Sequence, residues 1–274
     1  MGAGLLMIGG GVAAGIFGSL LGLGGGVLIV PLLTLGFGLP LREAVGVSLV
    51  SVIATSGASA GVYLQRHVAN LRLGMTLELF TATGALVGAL VAFAIPDRVL
   101  AGLFAILLVY VALTMARGLR PSAGAADRPT APPAEAAKPP SPTLERLSGP
   151  GYRVRNLGPG IGGSLFAGLV SALLGVGGGI VKVPVMNLLM GVPLRVATAT
   201  SNLMIGVTAS SSAIIYLLRG GIDPFVAGPA VLGVFVGATA GSRTAHRIDV
   251  RLLRATFVVV LLYTAWQMIG RALG

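Results

Sequence analysis

Long apolar runs separated by short polar segments dominate the hydropathy pattern of this chain. The segments between Arg98 and Arg117 and between Arg254 and Arg271 contain no charged residue. A helix that crosses the hydrocarbon core of a bilayer needs about 20 mostly apolar residues, which these runs supply. The pattern predicts three membrane-spanning helices in each half: Ala44–Leu64, Leu73–Ile95 and Val99–Gly118, then Val196–Leu218, Phe225–Ser242 and Leu252–Arg271.

The two halves repeat each other at a constant offset of 153 residues, which separates Gly25 from Gly178 and Pro31 from Pro184. In the best-conserved stretch, GLGGGVLIVPLLTLGFGLPLR in the first half aligns with GVGGGIVKVPVMNLLMGVPLR in the second. Self-similarity at a fixed spacing indicates an internal duplication. We predict a first membrane repeat over residues 1–119, a Pro/Ala-rich linker over 120–155 and a second membrane repeat over 156–274.

Each half begins with an interrupted apolar segment. A first stretch leads into three consecutive glycines, and a second stretch, Val27 to Gly38 in the first half, comes after them. As a helix this second stretch would be about 18 Å long, which is too short for a hydrocarbon core of ~30 Å. Each half is therefore predicted to open with a broken or re-entrant hairpin, and the fold class is an all-α polytopic membrane protein.

Composition and charge agree with a membrane protein and exclude several other classes. The chain is 55% hydrophobic and only 10% charged, against about 25% charged residues in soluble domains. Its net charge of +11 comes from basic residues in the loops, which is typical of the positive-inside bias and not of a nucleic-acid-binding face. The chain has no cysteine, so disulfides and thiolate chemistry are excluded.

Loop charges also predict an orientation. With the linker in the cytoplasm, the basic-rich loops around Arg72 and Arg247 lie inside, and the loops around Asp97 and Asp223 lie outside. This assignment requires each half to make an odd number of net crossings, so the two repeats are predicted to be inverted relative to each other. We expect a multi-pass protein of the inner (cytoplasmic) membrane with a cytoplasmic linker.

The paired glycine breaks are the predicted binding site. Matching interrupted segments in two inverted repeats indicate a transport site near the bilayer midplane. Glycine allows a tight backbone and a close approach of the ligand, and the helix after each break presents a partly positive N-terminus to an anion. The candidate residues are Gly24, Gly25, Gly26, Gly177, Gly178 and Gly179, with Pro31 and Pro184 supporting the breaks. The alternative is that these glycines only permit tight helix packing.

Polar residues near the breaks extend this candidate site. Lys182 lies three residues beyond Gly179 in an apolar stretch, so it either completes an anion site or extends to the membrane surface. The hydroxyl and amide side chains nearest the hairpins are Ser48, Ser51, Thr200, Ser201 and Asn202. Some of them could instead bond to their own helices.

Three further charged residues are candidates for coupling or gating. Glu78 either carries protons as a buried carboxylate or lies at the membrane interface, which is the favoured interpretation. Arg42 and Arg195 occupy equivalent positions after the two hairpins. They either attract and gate anions or anchor the ends of their helices, and anchoring is favoured.

Two G-x-G-G-G-x4-P motifs, Gly22–Pro31 and Gly175–Pro184, stand one in each half of this small membrane protein. In this respect the chain resembles the TauE/SafE family of sulfite exporter-like proteins from prokaryotic cytoplasmic membranes. The resemblance extends over nearly the whole chain outside the linker. It implies secondary export of small sulfur-containing anions, such as sulfite, sulfoacetate and related organosulfonates, without an ATP-driven domain.

Other functions remain open at this stage. A carrier of another small anion or ion could share the architecture, and its coupling ion is undetermined. A membrane-embedded enzyme would need intramembrane acid–base or metal-binding groups, and only Glu78 is a candidate, so we expect no enzyme. A purely structural membrane protein would bind no ligand. The expected partners are a small anion and the lipid bilayer, with no cofactor, metal or nucleic acid, and a homo-oligomer remains open.

Overall fold

The computed structural model describes residues 2–21, 25–65, 69–117, 147–149, 152–244 and 250–273. Apart from one isolated bridge between Gly149 and Tyr152, its regular secondary structure there is helical. The helices are α1 (Gly2–Leu21), α2 (Gly26–Pro31), α3 (Leu41–Gln65), α4 (Leu71–Ala94), α5 (Asp97–Arg117), α6 (Leu157–Leu174), α7 (Gly179–Pro184), α8 (Leu194–Leu218), α9 (Pro224–Thr244) and α10 (Val250–Leu273).

Seven helices in this part of the chain are long and apolar enough to cross a membrane. They include the six spans predicted from hydropathy and also α6, the first arm of the second hairpin. Helix α1 is slightly shorter by the same measure, with an apolar stretch of Gly4–Leu20. The prediction of an all-α polytopic membrane protein is therefore confirmed.

Both hairpins are present, and their second arms return along the first. In the second hairpin, Gly163 of α6 faces the Val185 side chain and Gly160 faces Met190. In the first, Gly10 faces Leu32 in the same way. Short α2 and α7 each end in proline and continue as a π-helical turn, Leu32–Gly36 and Val185–Leu189. Proline lacks the N–H that an α-helical ladder would use at that point, and π-turns are common at functional positions.

Element boundaries match the sequence repeat closely. Gly26–Pro31 and Gly179–Pro184 begin 153 residues apart, as do Leu41–Gln65 and Leu194–Leu218. Packing matches the repeat as well, because α1 lies along α9 and α6 lies along α4. Each half thus places its first helix against the fourth helix of the other half, so the two repeats interlock.

Equivalent helices of the two repeats cross in opposite directions. Gly46 near the start of α3 contacts Gly221 just beyond the end of α8, whereas Gly206 inside α8 contacts Ser56 farther along α3. Likewise, Gly102 near the start of α5 lies next to Ala272 at the end of α10. These contacts agree with an inverted repeat, and the inversion itself stays a prediction. The orientation of each half in a bilayer, and the linker's location, stay predictions.

Helices α3 and α8 lie at the centre of the molecule, where the hairpin breaks meet them. The span Leu41–Ala58 of α3 is 61% buried, the highest fraction among the seven spans, whereas Ala255–Leu273 of α10 is only 28% buried. Many polar side chains on α3 and α8, among them Ser48, Ser51, Ser201 and Thr208, are buried inside the protein, where they can serve a site.

Candidate functional site

The two glycine breaks approach each other beside Ser48 of α3. The Ser48 hydroxyl donates a hydrogen bond of 2.7 Å to the carbonyl of Gly175 and lies 3.2 Å from the carbonyl of Gly26. A Cβ on Gly26 would collide with the Gly175 carbonyl, so the two backbones touch. Ser48, one of the predicted site residues, is thus a buried side chain of the first repeat that joins both breaks.

Backbone conformation explains why these positions are glycine. Gly25 and Gly178, which are equivalent under the repeat, both have φ of 75°, and Gly177 has φ of 80°. Residues with a Cβ rarely adopt this left-handed region. Gly26 and Gly179 instead lack space, since a Cβ on Gly179 would lie 2.6 Å from Ile205. Gly24 lies outside the described residues.

Two buried hydroxyls beside the second break have no hydrogen-bond partner. The Ser171 side chain lies next to Gly178, and the Ser201 hydroxyl lies next to Gly179, 3.4 Å from where a Cβ on that glycine would be. Both serines are 0% exposed, and neither hydroxyl oxygen has a partner. Buried polar groups are normally satisfied, so these two are available to a ligand. Ser171 was not among the predicted site residues, although the repeat pairs it with Gly18 and so marks it as a polar difference between the halves.

Lys182 is buried and forms an ion pair with Glu78. Its ammonium donates to Glu78 Oε2 at 2.5 Å, and the Thr208 hydroxyl donates to Glu78 Oε1 at 2.6 Å. Only 1% of the Lys182 side chain and 7% of the Glu78 side chain are exposed. Lys182 therefore does not extend to the membrane surface.

The interfacial interpretation of Glu78 is wrong, because this carboxylate points inward from α4 toward α7 and α8. Its early position in the helix suggested an interfacial location, but the side chain lies on the buried face with Leu77 and Thr81. Thr208 was also missed as a site residue. It lies two turns after Ser201 on α8, so helical spacing places both on one face.

The charged pair joins the two repeats, because Lys182 belongs to the second and Glu78 to the first, and the repeat-equivalent positions carry no charge. Positions equivalent to Lys182 and Glu78 are Ile29 and Val231, whereas Thr208 corresponds to Thr55. Ile29 is fully buried in its own hairpin. The duplication therefore supplies two equivalent places where the repeats meet, and the one around the second hairpin has the ion pair and the two unpartnered hydroxyls.

Other predicted residues are occupied by structural contacts. Ser51 bonds to the Val47 carbonyl of its own helix at 3.0 Å. The Thr200 hydroxyl accepts a hydrogen bond of 2.9 Å from the backbone N–H of Asn70, away from the breaks. Asn202 is buried, and its backbone carbonyl accepts a hydrogen bond of 2.9 Å from the Ser56 hydroxyl.

The two arginines differ in their surroundings. Arg42 pairs with Asp97 at 3.0 Å and donates to the Ile95 carbonyl, so it anchors the start of α3 to the α4–α5 connection. Its equivalent, Arg195, is exposed at the start of α8. Arg42 therefore anchors the end of its helix, as predicted. Arg195 occupies the equivalent sequence position but is exposed.

An apolar cavity of about 510 Å³ lies elsewhere, between α1, α2 and α10. Its lining includes Phe17, Leu28, Leu35 and Val260, and it holds no charged residue. An anion would find no countercharge there, so the region around buried Lys182 is the better candidate site. Among the described residues, no group of three potential metal ligands is present.

Comparison with known proteins identifies relatives over most of the chain. The family described as "Sulfite exporter TauE/SafE" matches residues 7–268. The "probable membrane transporter protein YunE" of Bacillus subtilis is 26% identical over 267 residues, which is 94% of each chain. The "probable membrane transporter protein MJ0441" of Methanocaldococcus jannaschii is 30% identical, over 76% of this chain and 70% of its own.

A plant relative matches a shorter region. The "Sulfite exporter TauE/SafE family protein 6" of Arabidopsis thaliana is 32% identical over 101 residues, covering 37% of this chain and 23% of its own. No solved structure matches the chain. The relatives therefore agree on a membrane transporter, and the geometry of the site rests on the structure of this chain alone.

Proposed function

The chain belongs to the sulfite exporter TauE/SafE family of membrane transporters, and from this premise we propose that it is a secondary transporter that exports a small sulfur-containing anion, such as sulfite or an organosulfonate. The anion binds near the midplane of the cytoplasmic membrane, between the two glycine breaks. Two inverted repeats alternate the access of this site between the two sides.

The observation that carries this proposal is the burial of Lys182 beside the second break. An ionised lysine in an apolar interior is costly and marks a functional position. It supplies the positive charge that a small anion needs, and its compact ammonium acts as a point charge. The structure offers no comparable cation in the described part of the first hairpin, where Ile29 takes its place.

Hydroxyls around the break complete the site. Ser171 and Ser201 are buried without partners, and Ser48 reaches the carbonyls of both breaks. Sulfite and sulfonate oxygens accept hydrogen bonds from such donors. Asn202 lies next to Ser201 on the same helix and adds a buried amide. Thr200 and Ser51 support the surrounding helices in the conformation described here.

The test is anion flux into vesicles that contain the purified protein. Radiolabelled sulfite should enter wild-type vesicles down its gradient, and Lys182→Met should lower the rate at least tenfold because the site loses its countercharge. Ile29→Met changes the equivalent position of the first repeat to the same side chain and should keep the rate within about twofold. Wild-type flux in Lys182→Met would contradict the proposed site.

A carrier of a different small anion is the second candidate. Lys182 recognises charge more than shape, so the ammonium alone does not select sulfur oxyanions. Competition separates the two: unlabelled sulfite and methanesulfonate should inhibit labelled sulfite uptake more strongly than acetate or lactate at equal concentration. Equal or stronger inhibition by the carboxylates would favour a carboxylate carrier.

A further inference from the structure

We propose that Glu78 couples transport to protons, so that one proton moves with each monovalent anion in the same direction. This inference rests on the proposed function and goes beyond it by naming the coupling ion and the residue that binds it. The anion takes the place of the Glu78 carboxylate on Lys182, and the released carboxylate binds a proton while the anion is present.

Geometry makes the carboxylate and an anion competitors for one cation. Glu78 Oε2 already contacts the Lys182 ammonium at 2.5 Å, and the other ammonium contact is the Thr208 hydroxyl at 3.5 Å. Because Glu78 neutralises Lys182 in the structure, an anion gains the full countercharge only by displacing that carboxylate.

Charge balance determines the fate of the displaced carboxylate. The pair is neutral without an anion, and adding a monovalent anion alone would leave one net negative charge in an apolar region. An unpaired buried charge is strongly unfavourable. A proton from water on the side of entry forms an O–H bond with the released Glu78 oxygen, and Lys182 keeps its charge. Both forms of the site are then neutral, and no other bond changes.

No second acid competes for this proton among the described groups around Glu78. Helix α4 packs against α6 and α8, and Lys182 of α7 faces the carboxylate directly. Helix α6 carries no titratable side chain. On α4 and α8 the remaining charged groups, Arg72 and Arg195, are exposed at the helix starts, and Tyr216 donates to the Ala172 carbonyl.

The experiment records anion uptake and internal pH together in vesicles that contain the full-length protein. Sulfite, methanesulfonate and sulfoacetate are tested, and the two sulfonates cannot carry a proton on their sulfonate groups. We expect methanesulfonate uptake to acidify the interior by about one proton per anion. The rate should change less than twofold when a potassium gradient with valinomycin imposes a membrane potential.

Three outcomes are decisive for the wild-type protein. Methanesulfonate uptake without acidification, and with a rate that depends on the membrane potential, would overturn the coupling while leaving the proposed function intact. Where sulfite alone is transported, its uptake is measured in mildly acidic solution, where it is mainly the monovalent bisulfite ion. A rate that depends on the membrane potential then overturns the coupling, and a rate that does not depend on it supports the coupling. Absence of flux for all three anions overturns the proposed function and the coupling with it.

A matched pair of variants locates the proton. Glu78→Gln cannot bind the proton, so the number of protons per anion should fall at least fivefold and uptake should become dependent on potential. Glu43→Gln is the control, because Glu43 is half-buried in the first turn of α3 and lies outside the proposed site. Wild-type proton coupling in Glu78→Gln would overturn the assignment, and the wild-type measurements stand even if this variant fails to fold.

Discussion

At the scale of single residues, the buried pair of Lys182 and Glu78 is better explained by function than by stability. Removing two charges from water costs more than their attraction usually returns, so a well-packed apolar pair of similar volume is often as stable. The repeat-equivalent positions are apolar, with buried Ile29 in place of Lys182 and Val231 in place of Glu78. A charged pair at only one of two equivalent places between the repeats is therefore expected to serve a ligand.

The stability of charge-removed variants tests this argument. Lys182→Met alone leaves Glu78 without its cation and should lower the free energy of unfolding by about 3–5 kcal/mol at neutral pH. The double variant Lys182→Met/Glu78→Gln removes both charges and should recover most of that loss. Thermal unfolding of the purified proteins in one detergent measures both. A double variant as unstable as the single one would show that the pair itself stabilises the fold.

The Thr208 hydroxyl should matter because it donates to the carboxylate of Glu78 at 2.6 Å. Thr208→Val keeps the shape and removes the donor, which leaves a buried carboxylate oxygen unsatisfied and should cost about 1–3 kcal/mol. Thr208→Ser keeps the hydroxyl and is the matched control, with a cost below about 1 kcal/mol. Melting temperatures of the two variants test this prediction. Equal losses of stability in both would indicate that Thr208 contributes only packing.

At the scale of elements, glycine determines how closely the two repeats interlock. Gly168 of α6 lies against the Thr81 carbonyl of α4, and Gly15 of α1 lies against the Val234 carbonyl of α9. These two contacts are equivalent under the repeat. Small residues let membrane helices approach to backbone contact, where van der Waals packing is strongest. Packing is thus the role of these glycines, whereas Gly25 and Gly178 are required by their positive φ.

Alanine substitutions along α6 should separate contact glycines from neutral ones. Gly168→Ala places a methyl group against the Thr81 carbonyl, so α6 must move from α4, and we expect a loss of about 1–3 kcal/mol. Gly162→Ala lies on the same helix with no atom within 4 Å of the added Cβ, and should be neutral or slightly stabilising. Thermal unfolding of the two proteins provides the comparison, and similar stability would argue against close α4–α6 packing.

Hydropathy predicted the elements well because lipid imposes a length and a composition on each span. The predicted Val196–Leu218 and observed Leu194–Leu218 differ only at the start, where Pro193 immediately precedes the helix. The repeat likewise predicted both hairpins. Sequence could not predict the partner of Lys182, because Glu78 is 104 residues away and meets it only through the packing of α4 against the second repeat. Ser171 was missed because only the return of α7 along α6 brings its side chain next to Gly178.

At the scale of the whole molecule, the end of the linker and the two repeats meet at one end of α4. The Asn70 side chain donates to the Leu147 carbonyl and to the Tyr152 hydroxyl, each at 2.8 Å. The backbone N–H of Asn70 also donates a hydrogen bond to the Thr200 hydroxyl of the second repeat. These contacts tie residues just before the second repeat to the α3–α4 connection. In the predicted orientation this end faces the cytoplasm.

The inverted orientation makes a prediction about two equivalent positions. Arg72 and Phe225 are related by the 153-residue repeat, and both are exposed at the starts of α4 and α9. Because the natural chain has no cysteine, Arg72→Cys and Phe225→Cys each create a single reactive thiol. A maleimide that cannot cross membranes should label Phe225→Cys in intact cells or in spheroplasts stripped of their outer layers. It should label Arg72→Cys at least fivefold more after the membrane is opened.

The two thiols should label differently because inversion places equivalent loops on opposite sides of the bilayer. The loop charges assign the α3–α4 connection to the cytoplasm. Antiparallel packing of α3 on α8 requires the same relation within the protein, since Gly46 at one end of α3 meets Gly221 at the far end of α8. Labelling of both thiols from one side would contradict the inversion. It would also remove the basis for alternating access at the glycine breaks, because parallel repeats would not present the two hairpins to opposite sides of the membrane.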